Sequence, residues 1–234
     1  MTREASAVWP VRLLGDPRWL STENRTDLFW LARSLRIDYQ RADFLYGFVR
    51  SHKPSVSIET GVHFGKTSTA LLAALQKNRS GRLVSIDLPK RDVWVNADGQ
   101  RDHSRVRSDD ETGKLVPDLL RGRWTLLLGD AKLLLPGVLQ RFAPIDFFFH
   151  DSEHSYSQMT FEYEASWPHL RPGGFLGSDD TNRSSAWGEF LQRHVSELEL
   201  ESVQEGGQAV PRPKVIRGPS FIRIVRKRRI GTPA

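Results

Sequence analysis

The sequence predicts an α/β fold, in which helices cover both faces of a mostly parallel sheet of seven strands. Short apolar runs alternate with segments of helical periodicity, which is typical of parallel sheets. The last two apolar runs have no helix between them, so we expect them to pair antiparallel. The chain has 234 residues, 38% of them hydrophobic and 26% charged, which suits one domain with a sizeable core.

Seven apolar runs are the candidate strands. They are residues 55–60, 82–87, 124–129, 145–150, 174–179, 198–204 and 220–225. A polar, proline-rich segment, 205–219, joins the last two runs. Segment 88–113 lies between the second and third runs and lacks periodicity, which indicates either a functional loop or disorder.

Two helices are marked by their composition and their ends. The stretch "TSTALLAALQK" follows the first strand and has leucines at helical spacing. A second helix begins at Ser155, whose distance in sequence from Gln158 is that of a capping box. We expect this helix to end at Pro172-Gly173-Gly174, because proline and glycine terminate helices.

The N-terminal part is predicted to be helical. Residues 23–51 contain one or two helical patterns ahead of the first strand. No internal repeat and no second domain can be recognised. We therefore expect a single domain, 1–234, in which residues 1–54 form a helical cap region and residues 55–234 form the α/β core.

Composition excludes several classes of protein. The formal net charge is +6, and basic residues concentrate in "RIVRKRR" near the C-terminus and in residues 90–107. These concentrations are either basic edges of a soluble surface or a sign of anionic ligands or nucleic acid. The chain has no cysteine, so disulfides and thiolate chemistry are excluded. No apolar run reaches 18 residues and no signal peptide is recognisable, so we expect a cytoplasmic protein without a membrane partner.

The stretch "ETGVHFGKT" after the first strand resembles a nucleotide-binding loop without matching one. A triphosphate-binding loop needs glycine five residues before Gly65, but that position is Thr60. A dinucleotide fingerprint needs glycine at position 63, which is His63. The remaining interpretation is a tight turn from Gly61 to Gly65 that lets a ligand approach the backbone at the strand's carboxyl end.

Two acids follow the next two strands. Asp87 ends the second strand, where a carboxylate commonly accepts hydrogen bonds from a ribose diol, although a plain surface acid is the alternative. Asp130 follows the third strand and could either contact a ligand or cap the following helix.

Further acids follow the fourth and fifth strands. Asp151 comes after the fourth strand, and Asp179-Asp180 come after the fifth. Since parallel neighbours end at the same edge, we expect these carboxylates to converge, and their repulsion favours a divalent cation: Mg²⁺, with Ca²⁺ or Mn²⁺ as alternatives. The competing interpretation is that Asp179 or Asp180 caps a helix and His154 is bonded near a helix start.

The order "IETGVHFG … VSID … LLLGDA … IDFFFHDSEHSY … LRPGGFLGSDD" resembles class I S-adenosylmethionine (SAM)-dependent methyltransferases. Within that class it is similar to the small-molecule O-methyltransferases of the macrocin type, and more distantly to catechol O-methyltransferases. The resemblance runs from about residue 55 to 190. It implies a Rossmann-like sheet with strand order 3-2-1-4-5-7-6, the last strand being antiparallel.

The resemblance also implies a set of site residues. The SAM-binding positions are Glu59, Thr60, Gly61, Gly65, Asp87, Asp130, Ala131 and Asp151. The divalent metal would be held by Asp151, Asp179 and Asp180, and the catalytic residues would be His154, as the general base, and Asp151. Lys66 matches no cofactor-binding position and is interpreted as helix surface.

The expected function is therefore metal-assisted methyl transfer from SAM to a hydroxyl group of a small molecule, such as a sugar or a phenol of secondary metabolism. Trp94, Arg101, Arg105 and Arg107 are candidate contacts to that acceptor. Two alternatives stay open: a nucleic-acid methyltransferase that uses the basic tail, and a non-catalytic partner protein with the same fold. The oligomeric state is open, a homo-oligomer included.

Overall fold

The computed structural model describes residues 39–88, 94–95, 101–102, 109–205 and 208–229. Eleven strands run through these ranges: β1 (Val56–Thr60), β2 (Arg82–Asp87), β3 (Trp94–Val95), β4 (Arg101–Asp102), β5 (Trp124–Leu128), β6 (Ile145–His150), β7 (Leu170–Ser178), β8 (Leu200–Glu205), β9 (Gln208–Pro213), β10 (Val215–Arg217) and β11 (Arg223–Arg226). The described helices are α1 (Tyr39–His52), α2 (Lys66–Asn78), α3 (Asp118–Arg121), α4 (Ala131–Phe142), α5 (Tyr156–Ser166) and α6 (Ala186–Arg193).

The main sheet has seven strands in the order β5-β2-β1-β6-β7-β11-β10. If only these strands are counted along the chain, the order is 3-2-1-4-5-7-6, as the family resemblance implies. The pairs β1–β2, β1–β6, β2–β5 and β6–β7 are parallel, and β11 lies antiparallel to β7. The predicted Rossmann-like α/β class is confirmed.

The sixth strand of the sheet is formed by different residues from those predicted. Residues 198–204 contribute β8, which pairs antiparallel with β9 in a separate two-stranded sheet. The sixth place is taken by β10, a short strand inside the segment that was interpreted as a polar connection. A Gly-Gly pair at 206–207 between two short runs is a hairpin signal, and it explains why β8 pairs locally.

The helix that begins at Ser155 ends earlier than predicted. The Ser155 hydroxyl accepts a hydrogen bond from the Gln158 backbone N–H, as the capping box requires. The α-helix stops at Ser166 because Pro168 follows, and a 3₁₀ turn covers Trp167–His169. The predicted end, Pro172 to Gly174, lies within β7.

Both faces of the sheet are covered by helices, which gives two apolar layers. Phe147 and Phe149 of β6 pack on one face with residues of α1 and α2. Phe148 faces the opposite side and packs with residues of α4, α5 and α6. This alternation follows from the period of two along a strand, and it makes β6 buried on both faces.

The carboxyl ends of β1, β2, β6 and β7 meet at one edge, which we call the carboxyl edge. The pairing continues just beyond the strands: the Asp151 N–H donates to the Thr60 carbonyl at 2.8 Å, and the Asp179 N–H donates to the His150 carbonyl at 2.9 Å. The sheet therefore places the segments after β1, β6 and β7 side by side.

Several sequence predictions fall on residues outside the described ranges. These are most of the N-terminal cap region (1–38) and the candidate acceptor contacts Arg105 and Arg107. Trp94 and Arg101 lie in the β3–β4 ribbon, so the 88–113 segment contains a short antiparallel pair. Among the described helices, none has the length and apolar character needed to cross a bilayer.

Candidate functional site

The turn between β1 and α2 requires glycine at two positions. Gly61 has φ +84°, and a Cβ atom there would lie 2.0 Å from the carbonyl oxygen of Asp151. Gly65 has φ +87° and immediately precedes α2. Other residues rarely adopt such dihedrals. Gly61 also allows the turn to approach the segment after β6, and Gly65 allows it to approach Gly113 and Val116.

Glu59 and Thr60 support the turn from the protein interior. The Glu59 carboxylate accepts hydrogen bonds from the Ser68 hydroxyl at 2.6 Å and the Ser85 hydroxyl at 2.7 Å. Burial raises the pKa of Glu59 to about 7, although these two bonds oppose the shift. The Thr60 hydroxyl donates to buried Glu162. Both side chains are engaged with other parts of the protein.

Asp87 and Asp130 occupy the neighbouring strand ends. Buried Asp87 accepts a hydrogen bond of 3.2 Å from the Val62 N–H, so it fixes the turn against β2. Asp130 is exposed and caps α4 by accepting from the Lys132 N–H at 2.8 Å, and Ala131 is the first residue of that helix. The cap is one of the two roles that the sequence left open for Asp130.

A cavity of about 280 Å³ lies between the turn and α1. Its walls include Arg41 of α1, the turn residues from Gly61 to Phe64, Lys66 and Thr67 of α2, and Asp151. Lys66 therefore faces the cavity, and its interpretation as plain helix surface is wrong. This position cannot be predicted from the sequence, because which side of the first turn of α2 faces inward depends on where the neighbouring helix packs.

Three ionisable side chains converge at the carboxyl edge. One ligand atom each from Asp151, His154 and Asp179 lie within 4.8 Å of one another. Nε2 of His154 and Oδ1 of Asp179 are buried and have no hydrogen-bond partner among the described residues. Asp180 is not part of this trio, because its carboxylate accepts from Arg183 Nε at 3.3 Å.

Burial and charge shift the pKa values of the trio. Burial, together with the nearby Asp179 carboxylate, raises the pKa of Asp151 well above its usual range, while Arg41 and a bond from Thr67 oppose the shift. Burial and the neighbouring His150 lower the pKa of His154 to about 4, although Asp180 and Asp179 oppose this. His154 is therefore neutral at pH 7.

The donor atoms of the trio fit a divalent cation. Two carboxylates supply hard oxygen ligands that suit Mg²⁺ or Mn²⁺. The unpartnered buried atoms on His154 and Asp179 are the structural sign of such a site, since buried polar atoms otherwise find partners.

A guanidinium group already lies against the two carboxylates. Nη2 of Arg41 is 2.7 Å from Oδ2 of Asp179 and 3.5 Å from Oδ2 of Asp151. Burial opposes the charge of Arg41, but the acidic neighbours keep its pKa above the ordinary value. Arg41 cannot be recognised as a site residue from the sequence, because α1 reaches the carboxyl edge only through tertiary packing.

A buried hydrogen-bond network supports the segment that carries the trio. The Glu162 carboxylate accepts from the Ser152 hydroxyl and the Gln158 amide, both at 2.8 Å, and lies 2.6 Å from Nδ1 of His150. The surrounding donors lower the pKa of Glu162 even though burial opposes this. Glu162 thereby ties α5 to the residues on both sides of Asp151.

A model for a family described as "Methyltransferase domain" matches residues 58–181 of this chain. The chain belongs to this methyltransferase family. The match includes the G-x-x-x-G turn, Asp87 and the whole trio. It confirms the resemblance that the sequence motifs indicate. A search of curated proteins found no match.

Solved structures resemble this methyltransferase over nearly its whole length. An O-methyltransferase from Bacillus cereus in complex with S-adenosylhomocysteine (SAH) is 15% identical, with a TM-score of 0.54, covering 97% of this chain and 93% of that chain. TomG from Streptomyces achromogenes, involved in tomaymycin synthesis and solved with SAM, is 16% identical, with a TM-score of 0.52 and coverages of 97% and 99%.

The mycinamycin-pathway methyltransferase MycE, solved with Mg and SAH, is also similar. It is 16% identical, with a TM-score of 0.52, and the match covers 86% of this chain and 54% of that chain. At such identities these likenesses establish the shared fold.

Proposed function

We propose that this methyltransferase transfers a methyl group from SAM to a hydroxyl oxygen of a small molecule, with the help of a divalent cation. The observation that carries the proposal is the convergence of Asp151, His154 and Asp179 beside the cavity under the G-x-x-x-G turn. The carboxyl end of a parallel sheet is where ligands bind in this class of fold.

The residues around the turn are suited to hold SAM. Gly61 and Gly65 let a ligand approach the backbone closely, and Asp87 offers a carboxylate to the ribose hydroxyls. Asp130 and Ala131 lie at the next strand end, where the adenine would bind. Glu59 and Thr60 keep the turn in place from the interior. Bound SAM supplies a methyl group on a positively charged sulfur, which an oxygen nucleophile can attack.

Asp151 and Asp179 are the proposed cation ligands, and Asp180 becomes a third if it releases Arg183. A cation held there would lower the pKa of an acceptor hydroxyl. We assign the proton to Nε2 of His154, since a neutral, unpartnered imidazole nitrogen can accept it. Nε2 cannot bind a cation and accept a proton at once, so the two assignments for His154 exclude each other.

Much of the rate enhancement is expected to come from orientation. Holding the acceptor oxygen, methyl carbon and sulfur in line contributes about 7–11 kcal/mol at best. The turn, α1 and the segment after β6 surround the cavity and are tied together by backbone and side-chain bonds, so they can fix these positions.

An exposed aromatic ring supports the acceptor's location. Phe221 is 51% exposed although it is large and apolar, and its carbonyl oxygen accepts from the Thr181 hydroxyl at 2.7 Å. Phe221 and Asp180 both have positive φ values, 60° and 44°, in adjoining segments. Strained backbone of this kind clusters at functional sites. We propose that a sugar or phenol ring packs against Phe221.

The basic tail offers less support for a nucleic-acid substrate. Arg226 is bonded to Glu199 and to the Gly173 carbonyl, and Lys227 donates to the Trp167 carbonyl at 2.9 Å. Residues Arg223–Arg226 form a strand of the main sheet. These basic groups therefore stabilise the fold beside the main sheet, which favours a small-molecule acceptor.

The test is an assay for two products. The full-length protein is incubated with SAM and a panel of sugar and phenol acceptors, with MgCl₂ or with EDTA, and mass spectrometry measures SAH and the methyl ether. We expect both products with Mg²⁺ and neither with EDTA. Full turnover in EDTA would remove the cation from the proposal. SAM binding without transfer to any hydroxyl would favour the non-catalytic alternative.

A further inference from the structure

The guanidinium of Arg41 lies against both of the carboxylates that are proposed to hold a cation. A single nitrogen, Nη2, lies 2.7 Å from Asp179 and 3.5 Å from Asp151, both at Oδ2. The side chains are mostly buried, with exposed fractions of 25% for Arg41, 17% for Asp151 and 3% for Asp179. The guanidinium therefore compensates the two acids in the protein without metal.

A divalent cation and this guanidinium cannot both lie against the pair. Two positive groups a few ångströms apart in a mostly buried environment repel strongly, because the effective dielectric constant there is far below that of water. Oδ1 of Asp179 is buried and has no partner among the described residues, so it is open to an incoming cation.

The neighbouring cavity offers space for the guanidinium of Arg41 away from the carboxylates. Arg41 of α1 lines the 280 Å³ cavity. A long side chain can rotate into the cavity without a shift of the helix, which is held by the packing of Leu45, Phe48 and Val49 in the core.

We propose that Arg41 is a built-in counter-ion of the Asp151–Asp179 pair, and that a divalent cation binds there by displacing its guanidinium. This inference rests on the cation site proposed above. Arg41 lies on α1, outside the region that matches the methyltransferase family. It would control how tightly the site binds a cation.

Binding of Mn²⁺ to the full-length protein tests the proposal, measured by the loss of the free Mn²⁺ signal in electron paramagnetic resonance. Arg41→Met keeps an apolar stem and removes the charge, and we expect it to bind Mn²⁺ at least tenfold more tightly than the wild type. Arg41→Lys keeps a positive charge, so its Mn²⁺ affinity should increase less than that of Arg41→Met. Arg50→Met is the matched control, because Arg50 lies on the same helix and bonds Asn78, so its affinity should equal the wild type's.

Two further measurements locate the effect. Adding Asp179→Asn to Arg41→Met should abolish the gain, and a gain that persists would show binding elsewhere and overturn the proposal. Mn²⁺ should raise the melting temperature of Arg41→Met more than that of the wild type, since the cation replaces the missing counter-ion.

Two outcomes of the Mn²⁺ titration would overturn the proposal. Unchanged or weaker Mn²⁺ binding by Arg41→Met would mean that Arg41 holds the carboxylates in place and does not compete, which overturns the proposal. Absence of Mn²⁺ binding in every variant overturns it as well. Methyl transfer is judged separately, by SAH formation with and without EDTA, so a failure of this inference can be told apart from a failure of the proposed function.

Discussion

The hydroxyl of Thr67 donates a hydrogen bond of 2.7 Å to Oδ2 of Asp151. This bond joins the first turn of α2 to the residue that follows β6, across the cavity that both line. The Asp151 carboxylate is therefore contacted from two sides, by the Thr67 hydroxyl and by the Arg41 guanidinium.

Replacing Thr67 should weaken the cation site. Thr67→Val has nearly the same shape but no donor, so the Asp151 carboxylate loses a bond worth about 1 kcal/mol, and we expect Mn²⁺ to bind several-fold more weakly. Titration with Mn²⁺ measures this. Thr67→Ser keeps the hydroxyl and should behave like the wild type. Equal affinity in Thr67→Val would show that the bond does not orient a ligand.

Replacing His154 separates its two candidate roles. If Nε2 accepts the proton, His154→Ala should lower kcat by about 10²- to 10⁴-fold while Mn²⁺ affinity and SAM affinity stay nearly constant. If Nε2 is a cation ligand, Mn²⁺ affinity should fall together with kcat. Steady-state kinetics with an acceptor found in the panel, combined with Mn²⁺ titration, distinguishes the roles. An unchanged kcat would dismiss His154 as the base.

Replacing Asp87 should weaken SAM binding. Removal of a carboxylate that accepts from ribose hydroxyls is expected to raise the dissociation constant about 10- to 100-fold, as charged hydrogen bonds contribute about 1.5–3 kcal/mol. Calorimetry with SAH measures Asp87→Ala against Asp118→Ala, in which the acid is exposed at the start of α3. A dissociation constant for Asp87→Ala that matches this control would discredit the ribose assignment.

The turn glycine at position 61 should not tolerate a side chain. Gly61→Ala places Cβ 2.0 Å from a backbone oxygen at a positive φ, so we expect a loss of about 3 kcal/mol or more of the free energy of unfolding. Gly122→Ala is the matched control: its φ is −62° and nothing lies within 4 Å of the added atom. Urea denaturation compares the two. Similar stabilities would mean that the turn can move away from Asp151.

Glu59 should make stability depend on pH. Its pKa is about 7 in the folded protein against an ordinary value of 4.5, so the folded state holds the proton more tightly than the unfolded state. Stability is therefore lost as pH rises from about 4.5 to 7, by on the order of 3 kcal/mol in total.

Glu59→Gln is neutral at every pH and its amide oxygen can still accept from Ser68 and Ser85. We expect the variant's stability relative to the wild type to increase between pH 5 and pH 8, measured by urea denaturation at both values. If the difference in stability between Glu59→Gln and the wild type is the same at pH 5 and pH 8, the raised pKa of Glu59 is contradicted.

The convergence of Asp151 and Asp179 is predictable from the sequence, because parallel neighbouring strands end at one edge. The role of α1 is not, since it depends on contacts such as Phe48 with Phe147, residues almost a hundred positions apart. The sixth strand is misassigned for a related reason: β10 has only three residues, and a run that short carries little periodicity. Asp180, which was predicted to converge with these two acids, lies outside the trio. The chain has φ 44° at Asp180, just after β7, and its carboxylate bonds Arg183 instead.

The ion pair between α1 and the strand ends bears on how related sequences are grouped. The stretch that defines membership, residues 58–181, contains the acids and the histidine but begins after Arg41. If Arg41 competes with a cation as proposed, two proteins that are alike throughout that stretch can differ in how tightly they bind the cation, depending on one side chain on the preceding helix. A comparison of cation affinity among such sequences would then have to include the residue on that helix, which lies ahead of the matched stretch.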